Sequence, residues 1–183
     1  MIFGKRIRFR APERSDLPTF VTWLNDPEVI SGIRTIYPMS NEDESRWFDL
    51  MLTRPQELHP MVIEVKDGVK WVMIGTCGFN QIDWRNANGE VGIMLGEKKY
   101  WDQGYGTEAM HLLLKHGFET MNLHRIYLVV HEDNDRANRC YKKVGFEVEG
   151  KLRDAVYKNG KYIDDLIESM LRPDWKDDQS VAI

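Results

Sequence analysis

The sequence predicts a mixed α/β domain, a mainly antiparallel sheet with helices packed on both faces. Three features predict it. A strand-like run at residues 90–95 passes through the loop Trp101-Asp102-Gln103-Gly104-Tyr105-Gly106 into a helix whose apolar residues Met110, Leu113, Leu114, Gly117, Phe118 and Met121 recur at three and four. Asp67-Gly68 and Asn159-Gly160 each separate two strand-patterned runs, the mark of antiparallel hairpins. Arg125–His131 is apolar on both faces, as a strand covered from both sides is. With 183 residues, a single domain is expected over residues 1–175 and a polar tail over 176–183.

Taken in order, Ile7, Phe9 and Ala11 alternate with Arg6, Arg8 and Arg10, which predicts a half-buried first strand ended by Pro12. Ser15 is placed to cap a helix through Leu17, Phe20, Val21 and Leu24. Asn25-Asp26-Pro27 stops that helix, and Pro27 opens a short second one. Residues 35–39 read as a loop. Ser40 then caps a third helix, with Asp43 at the capping-box position and Trp47, Phe48 and Met51 on its apolar side. Residues 61–65 and 69–79 form a hairpin about Lys66-Asp67-Gly68, and a turn at residues 86–89 leads into the strand at Glu90. After the central helix come the strand Arg125–His131, a helix over residues 134–144, a strand through Val156, and a closing strand over residues 162–171.

Composition excludes several classes. Hydrophobic residues are 42% and charged residues 30%, ordinary for a soluble globular chain. The net charge of −4 and the lack of a basic stripe disfavour nucleic acid and anionic membranes as partners. The two cysteines, Cys77 and Cys140, have no metal-ligand spacing, so free thiols and no metal are expected. No run is long enough to span a bilayer, and the amino terminus has no apolar leader, so the expected location is the cytoplasm.

The central loop carries the first chemical signal. Strand, glycine loop and helix in succession present unpaired backbone N–H groups and a positive helix end to an anion, and glycine lets a phosphate approach the backbone. This points to a pyrophosphate-bearing ligand; a plain strand-to-helix turn is the alternative from the loop alone. A Walker A loop is excluded because no Gly-Lys-Ser/Thr follows, and a dinucleotide fingerprint because its third glycine position is Ala109.

Three motifs together carry a resemblance. The run Trp101-Asp102-Gln103-Gly104-Tyr105-Gly106-Thr107 looks like the acetyl-CoA loop of the GNAT acetyltransferases, with Trp101 in place of the usual Arg or Gln. Asn134-Asp135-Arg136-Ala137, followed by Tyr141 and then Gly145-Phe146, is similar to the helix that follows in that family. Residues 150–164 are similar to the closing hairpin of the branch holding ribosomal-protein N-terminal acetyltransferases and spermidine N-acetyltransferase, and Trp23-Leu24-Asn25-Asp26-Pro27 matches that branch as well.

The resemblance implies a GNAT fold, in which the strands at residues 90–95 and 125–131 splay apart to hold acetyl-pantetheine. It implies an N-acetyltransferase using acetyl-CoA. Backbone N–H groups of Gln103, Gly104, Tyr105, Gly106 and Thr107 would hold the pyrophosphate. Met94 and Leu95 would offer backbone groups to the pantetheine arm, and Asn134 a hydrogen bond to it, although Asn134 also suits a helix cap. Tyr141 matches the general acid, for a phenol can protonate a leaving thiolate at neutral pH. Glu90 is the candidate base, directly or through water, on the same strand face as Gly92 and Met94. His131 is a second candidate, with packing or capping as its alternative. Cys140 is expected to be a core thiol, with acyl transfer direct. The acidic start of the third helix, Asn41-Glu42-Asp43-Glu44, either serves the helix dipole or faces a cationic acceptor. Trp47, Trp84 and Tyr157 either line the acceptor pocket or pack in the core. The acceptor expected is a small amine such as a polyamine; a protein N-terminus, an amino-sugar, or a non-catalytic acyl-CoA-binding role are the alternatives. A homodimer is expected by family analogy.

Overall fold

The alternating and apolar runs fall where a single broad sheet needs them. In the computed structural model, which describes residues 1–33 and 35–177, the strands are β1 (Ile2–Phe3), β2 (Ile7–Arg10), β3 (Met61–Asp67), β4 (Lys70–Asp83), β5 (Asn88–Leu95), β6 (Arg125–His131), β7 (Glu147–Lys158) and β8 (Lys161–Leu171). The helices are α1 (Leu17–Leu24), α2 (Pro27–Ile30), α3 (Asn41–Leu52), α4 (Tyr105–Lys115) and α5 (Asp135–Val144). Across the sheet the order is β1-β2-β3-β4-β5-β6-β8-β7, antiparallel at each pairing except β5 with β6.

Each face has its own core, because each strand sends alternate side chains to opposite sides. On one face Ile7, Phe9, Ile63, Ile74, Ile126 and Leu128 pack against Met110, Leu113 and Leu114 of α4 and Tyr141 and Val144 of α5. On the other, Val62, Met73 and Met94 meet Phe20 and Trp23 of α1 and Phe48 and Met51 of α3. The expected mainly antiparallel sheet with helices on both faces is the fold found.

Ser40 caps α3 as expected: its hydroxyl accepts from the Asp43 N–H at 3.1 Å, and Asp43 accepts from the Ser40 N–H at 3.2 Å. Strand β1 (Ile2–Phe3) was not expected, and three further elements differ from the expectation. Ser15 does not cap α1; a turn of 3₁₀ helix at Arg14–Asp16 precedes it, and the Asp16 carboxylate accepts from the Glu13 N–H at 2.8 Å while pairing with Arg10. Strand β4 continues past Phe79 to Asp83 by taking a bulge at Asn80. The central helix is α-helical only to Lys115 and then widens into a π turn at His116–Thr120, where Gly117 lies so close to Ile126 and Phe79 that a Cβ would clash. Of the polar tail, Asp177 pairs with Lys115 at 2.6 Å; residues 178–183 lie outside the described residues.

Candidate active site

The site starts from a failure of pairing. Strands β5 and β6 are paired only through Asn88–Arg125, Gly89–Ile126 and Glu90–Tyr127. Beyond that point β5 continues its ladder with β4 as far as Leu95, and β6 its ladder with β8 as far as His131. Residues 91–95 of β5 and 128–131 of β6 therefore face each other across an opening with one strand edge on each side. Unpaired strand edges hold N–H and C=O groups in a row, the surface an amide-bearing chain can bond to. Met94 and Leu95 lie on this edge. The Leu95 carbonyl already accepts from the Trp101 indole N–H at 2.8 Å.

At the wide end of the opening lies the glycine loop. Gly104 caps α4 with φ of +82°, a left-handed conformation natural to glycine. The first α4 hydrogen bond from this end runs from the Glu108 N–H to the Gly104 carbonyl at 3.0 Å, so the N–H groups of Tyr105, Gly106 and Thr107 remain unbonded among the described residues. Arg6 braces the loop from β2's side. Its Nε bonds Glu108 at 2.8 Å, its Nη1 bonds the Gln103 carbonyl at 3.1 Å, and its guanidinium lies 4.5 Å from the Tyr105 ring centre. The Gln103 side chain turns back to the Lys99 carbonyl.

Helix α5 closes the α4 side. Asn134 is its cap, accepting from the Ala137 N–H at 3.2 Å. Its amide nitrogen also packs on Gly32, where any Cβ would collide with it. Tyr141 is 7% exposed, and its ring stands 5.8 Å from that of Phe146. Burial first, then the nearby Cys140 and Glu168, pushes its phenol above its ordinary range, so it is a neutral donor at physiological pH. Cys140 sits between α5 and α4, 3.6 Å from the Thr107 hydroxyl; burial raises its thiol, which suits a packed rather than a nucleophilic sulfur.

Glu90 stands at the apex of the opening, on the α1–α3 face. The bulge at Asn80 brings two neighbouring side-chain amides to it: Asn80 Nδ2 at 3.2 Å and Gln81 Nε2 at 3.1 Å. Gln81 also donates to the Tyr127 hydroxyl, tying the two residues paired across the apex to one amide. Behind them lies a hollow of 280 Å³ lined by Gln81, Ile82, Asp83, Asn88 and Tyr127. The bulge is held in place by Arg54, which donates to the Asn80 carbonyl at 3.1 Å.

The model of the acetyltransferase (GNAT) domain family matches residues 6–147. The chain belongs to the GNAT acetyltransferases. Among its relatives is an uncharacterized N-acetyltransferase, p20, of Bacillus licheniformis, 30% identical over 179 residues, 95% of this chain and 97% of that one. The fold is shared with the spermidine N-acetyltransferase of Vibrio cholerae, solved with CoA and spermine, at a TM-score of 0.83 and 22% identity, over 93% of this chain and 98% of that one. It is shared too with RimL, a ribosomal L7/L12 α-N-protein acetyltransferase solved with coenzyme A, at a TM-score of 0.79 and 20% identity, over 92% and 95% of the two chains.

In this acetyltransferase the remaining expected residues divide. Trp47 packs against the α1–α3 core, whereas Trp84 and Tyr157 are exposed at 54% and 64%. His131 is buried, its Nδ1 2.7 Å from Asp165 on the neighbouring strand, an arrangement that ties β6 to β8. The acidic start of α3 divides too. Asp43 completes the cap, but Glu44 turns inward, is 4% exposed, has no partner among the described residues, and is pushed above the usual carboxylate range by burial. Asn80, Gln81 and Tyr127 escaped sequence reasoning. Tyr127 read only as part of a strand covered on both faces, whereas Val129 on the same face is 37% exposed, and the bulge that brings Asn80 to Glu90 has no local sequence mark. No helix among the described residues is long and apolar enough to cross a membrane.

Proposed function

We propose that this acetyltransferase moves the acetyl group of acetyl-CoA directly to the primary amine of a small cationic acceptor such as a polyamine. One observation carries the reading: the opening between β5 and β6 has the unbonded N–H groups of the glycine loop at its wide end and Glu90 at its apex. Acetyl-CoA would lie with its pyrophosphate on the N–H groups of Tyr105, Gly106 and Thr107 and its pantetheine arm along residues 91–95, near Asn134. The amine nitrogen attacks the thioester carbonyl carbon, the carbon–sulfur bond breaks, and an amide and CoA result. Glu90, directly or through water, takes the proton the ammonium must lose. Tyr141 gives its phenolic proton to the departing thiolate and is reprotonated, through water, by the second proton that the nitrogen sheds as the amide forms. The acidic side chain of Glu44, buried on the α1–α3 face without a partner among the described residues, is the feature of the acidic α3 start that supports a positively charged acceptor.

The experiment is release of free CoA thiol from acetyl-CoA against spermidine, spermine, peptides with free N-termini and amino-sugars. Turnover is expected with the polyamines. Turnover confined to peptides would replace the acceptor class, and tight CoA binding with no turnover would favour a binding module. In Tyr141→Phe, kcat should fall by about 10²- to 10³-fold, the scale of a positioned acid, while the dissociation constant for CoA changes little.

A further inference from the structure

Among the described residues, two guanidinium groups touch the glycine loop, and they are used differently. Arg6 is spent on the protein: it bonds Glu108 and the Gln103 carbonyl and only braces the loop. Arg136 is not. It belongs to the first turn of α5, across the mouth of the opening from the loop. Its guanidinium lies 3.9 Å from the Trp101 ring centre, and its Nε meets Asp102 at 3.2 Å. The two terminal amino groups of that guanidinium have no partner among the described residues, so a planar fork stands ready beside the loop's unbonded N–H groups.

The setting fixes the arm at its root and leaves its tip free. Trp101 is anchored by its indole N–H on the Leu95 carbonyl and packs on the α1–α3 core, so it is a rigid platform for stacking. Asp102 is held at φ of +57°, an uncommon conformation for a residue with a side chain, which sets its carboxylate toward Arg136. The Asp102 and Arg136 side chains are 63% and 46% exposed. An ion pair so open to water is weak and gives way readily to a better anion.

We propose that Arg136 is a donor-binding residue, and that Asp102 occupies its guanidinium until a phosphate of the CoA chain replaces the carboxylate. This rests on the acetyl-CoA reading of the loop given above. A phosphate offers more charge and a bidentate fit to the fork that Asp102 engages through Nε alone. In the free enzyme the pair also links the two sides of the opening at its mouth, α5 to the β5 loop. Binding therefore exchanges a protein anion for a ligand anion and leaves Arg136 stacked on Trp101 throughout.

The test is calorimetric titration of CoA into the wild type, Arg136→Ala, Asp102→Asn and the double variant, with asparagine chosen because it tolerates the left-handed conformation. Arg136→Ala should weaken CoA about tenfold, the worth of one charge-assisted contact at a partly exposed site. Asp102→Asn should tighten CoA about two- to fivefold, since a weak competing pair is removed, and that gain should vanish in the double variant, which a merely structural role for either residue would not produce. Dephospho-CoA identifies the phosphate: the Arg136→Ala penalty disappears if the partner is the 3′-phosphate and persists if it is the pyrophosphate. CoA binding that ignores Arg136→Ala, or an Asp102→Asn gain that survives without Arg136, overturns the proposal and leaves the donor reading standing. A wild type that binds no CoA overturns both.

Discussion

Tyr141 and Glu168 meet beneath α5, and burial acts on both in the same direction. The phenol is kept neutral, which suits an acid, and the carboxyl of Glu168, 4% exposed and without a partner among the described residues, is pushed above its ordinary range. The sign for stability follows. A carboxyl whose folded pKa lies above its unfolded one favours the folded state below the unfolded value, and that contribution is lost as pH rises through the folded value. Above the unfolded value, then, the buried Glu168 carboxyl is a burden. Glu168→Gln should raise the unfolding midpoint at pH 7 by about 2–4 °C, the shift for about 1 kcal/mol in a chain this size, and the gain should fade toward pH 4. A gain equal at both pH values would show that charge is not the cause. At this scale the sequence was readable where a side chain acts on its own neighbourhood. Ser40 with Asp43, and Asn134 as a cap, needed nothing but local spacing. Ser15 was misread because Arg10, on a strand, claims Asp16, and no local pattern reports that.

Among elements, the loop leading into α4 depends most on a single conformation. Gly104 and Gly160 both have φ near +80°, at +82° and +81°. A Cβ at Gly160 would meet nothing within 4 Å, whereas one at Gly104 would lie 3.3 Å from Arg6 Nη2. Gly104→Ala and Gly160→Ala should each cost about 1–2 kcal/mol of stability from the backbone alone. Only Gly104→Ala should also raise KM for acetyl-CoA, by about tenfold, because it displaces the N–H groups and their Arg6 brace. Steady-state kinetics and thermal unfolding on the two variants separate the effects, and an equal rise in KM for both would remove the loop from donor binding. The hairpins at Asp67-Gly68 and Asn159-Gly160 were legible because turn chemistry is local. The length of β4 was not. Asn80 and Gln81 lie past the strand end expected at Phe79, yet the bulge keeps β4 paired and turns both amides to Glu90. The π turn after Lys115 was hidden for a similar reason, since it answers to Ile126 and Phe79 in distant strands.

Over the whole molecule, the α1–α3 layer is joined to the sheet by ion pairs as well as by its core. Arg10 bonds Asp16 at 2.7 Å and 2.9 Å and Glu64 at 2.8 Å, and Arg8 bonds Glu64 at 2.6 Å. Burial raises the Asp16 carboxyl, but the Arg10 hydrogen bonds and the Glu13 N–H outweigh it and hold Asp16 below its ordinary value. A depressed carboxyl stabilises the fold above its unfolded pKa and loses that contribution as pH falls through the folded one. Asp16→Asn should therefore lower the unfolding midpoint at pH 7, and by progressively less as pH falls below the ordinary carboxylate range, where the wild-type carboxyl also takes up its proton. An undiminished effect at low pH would assign the loss to packing. The layering of helices on both faces of the sheet was legible because period and turn signals fix which runs are strands and which helices. The opening between β5 and β6 was expected only by resemblance, since apolar content in Arg125–His131 does not say where its pairing ends. The central claim is that this opening seats the acyl donor with its sulfur beside Tyr141. A structure of the enzyme with CoA tests it most directly. The account predicts the CoA sulfur between residues 91–95 and β6, within hydrogen-bonding reach of the Tyr141 hydroxyl. A sulfur outside the opening, or one turned away from Tyr141, would contradict it.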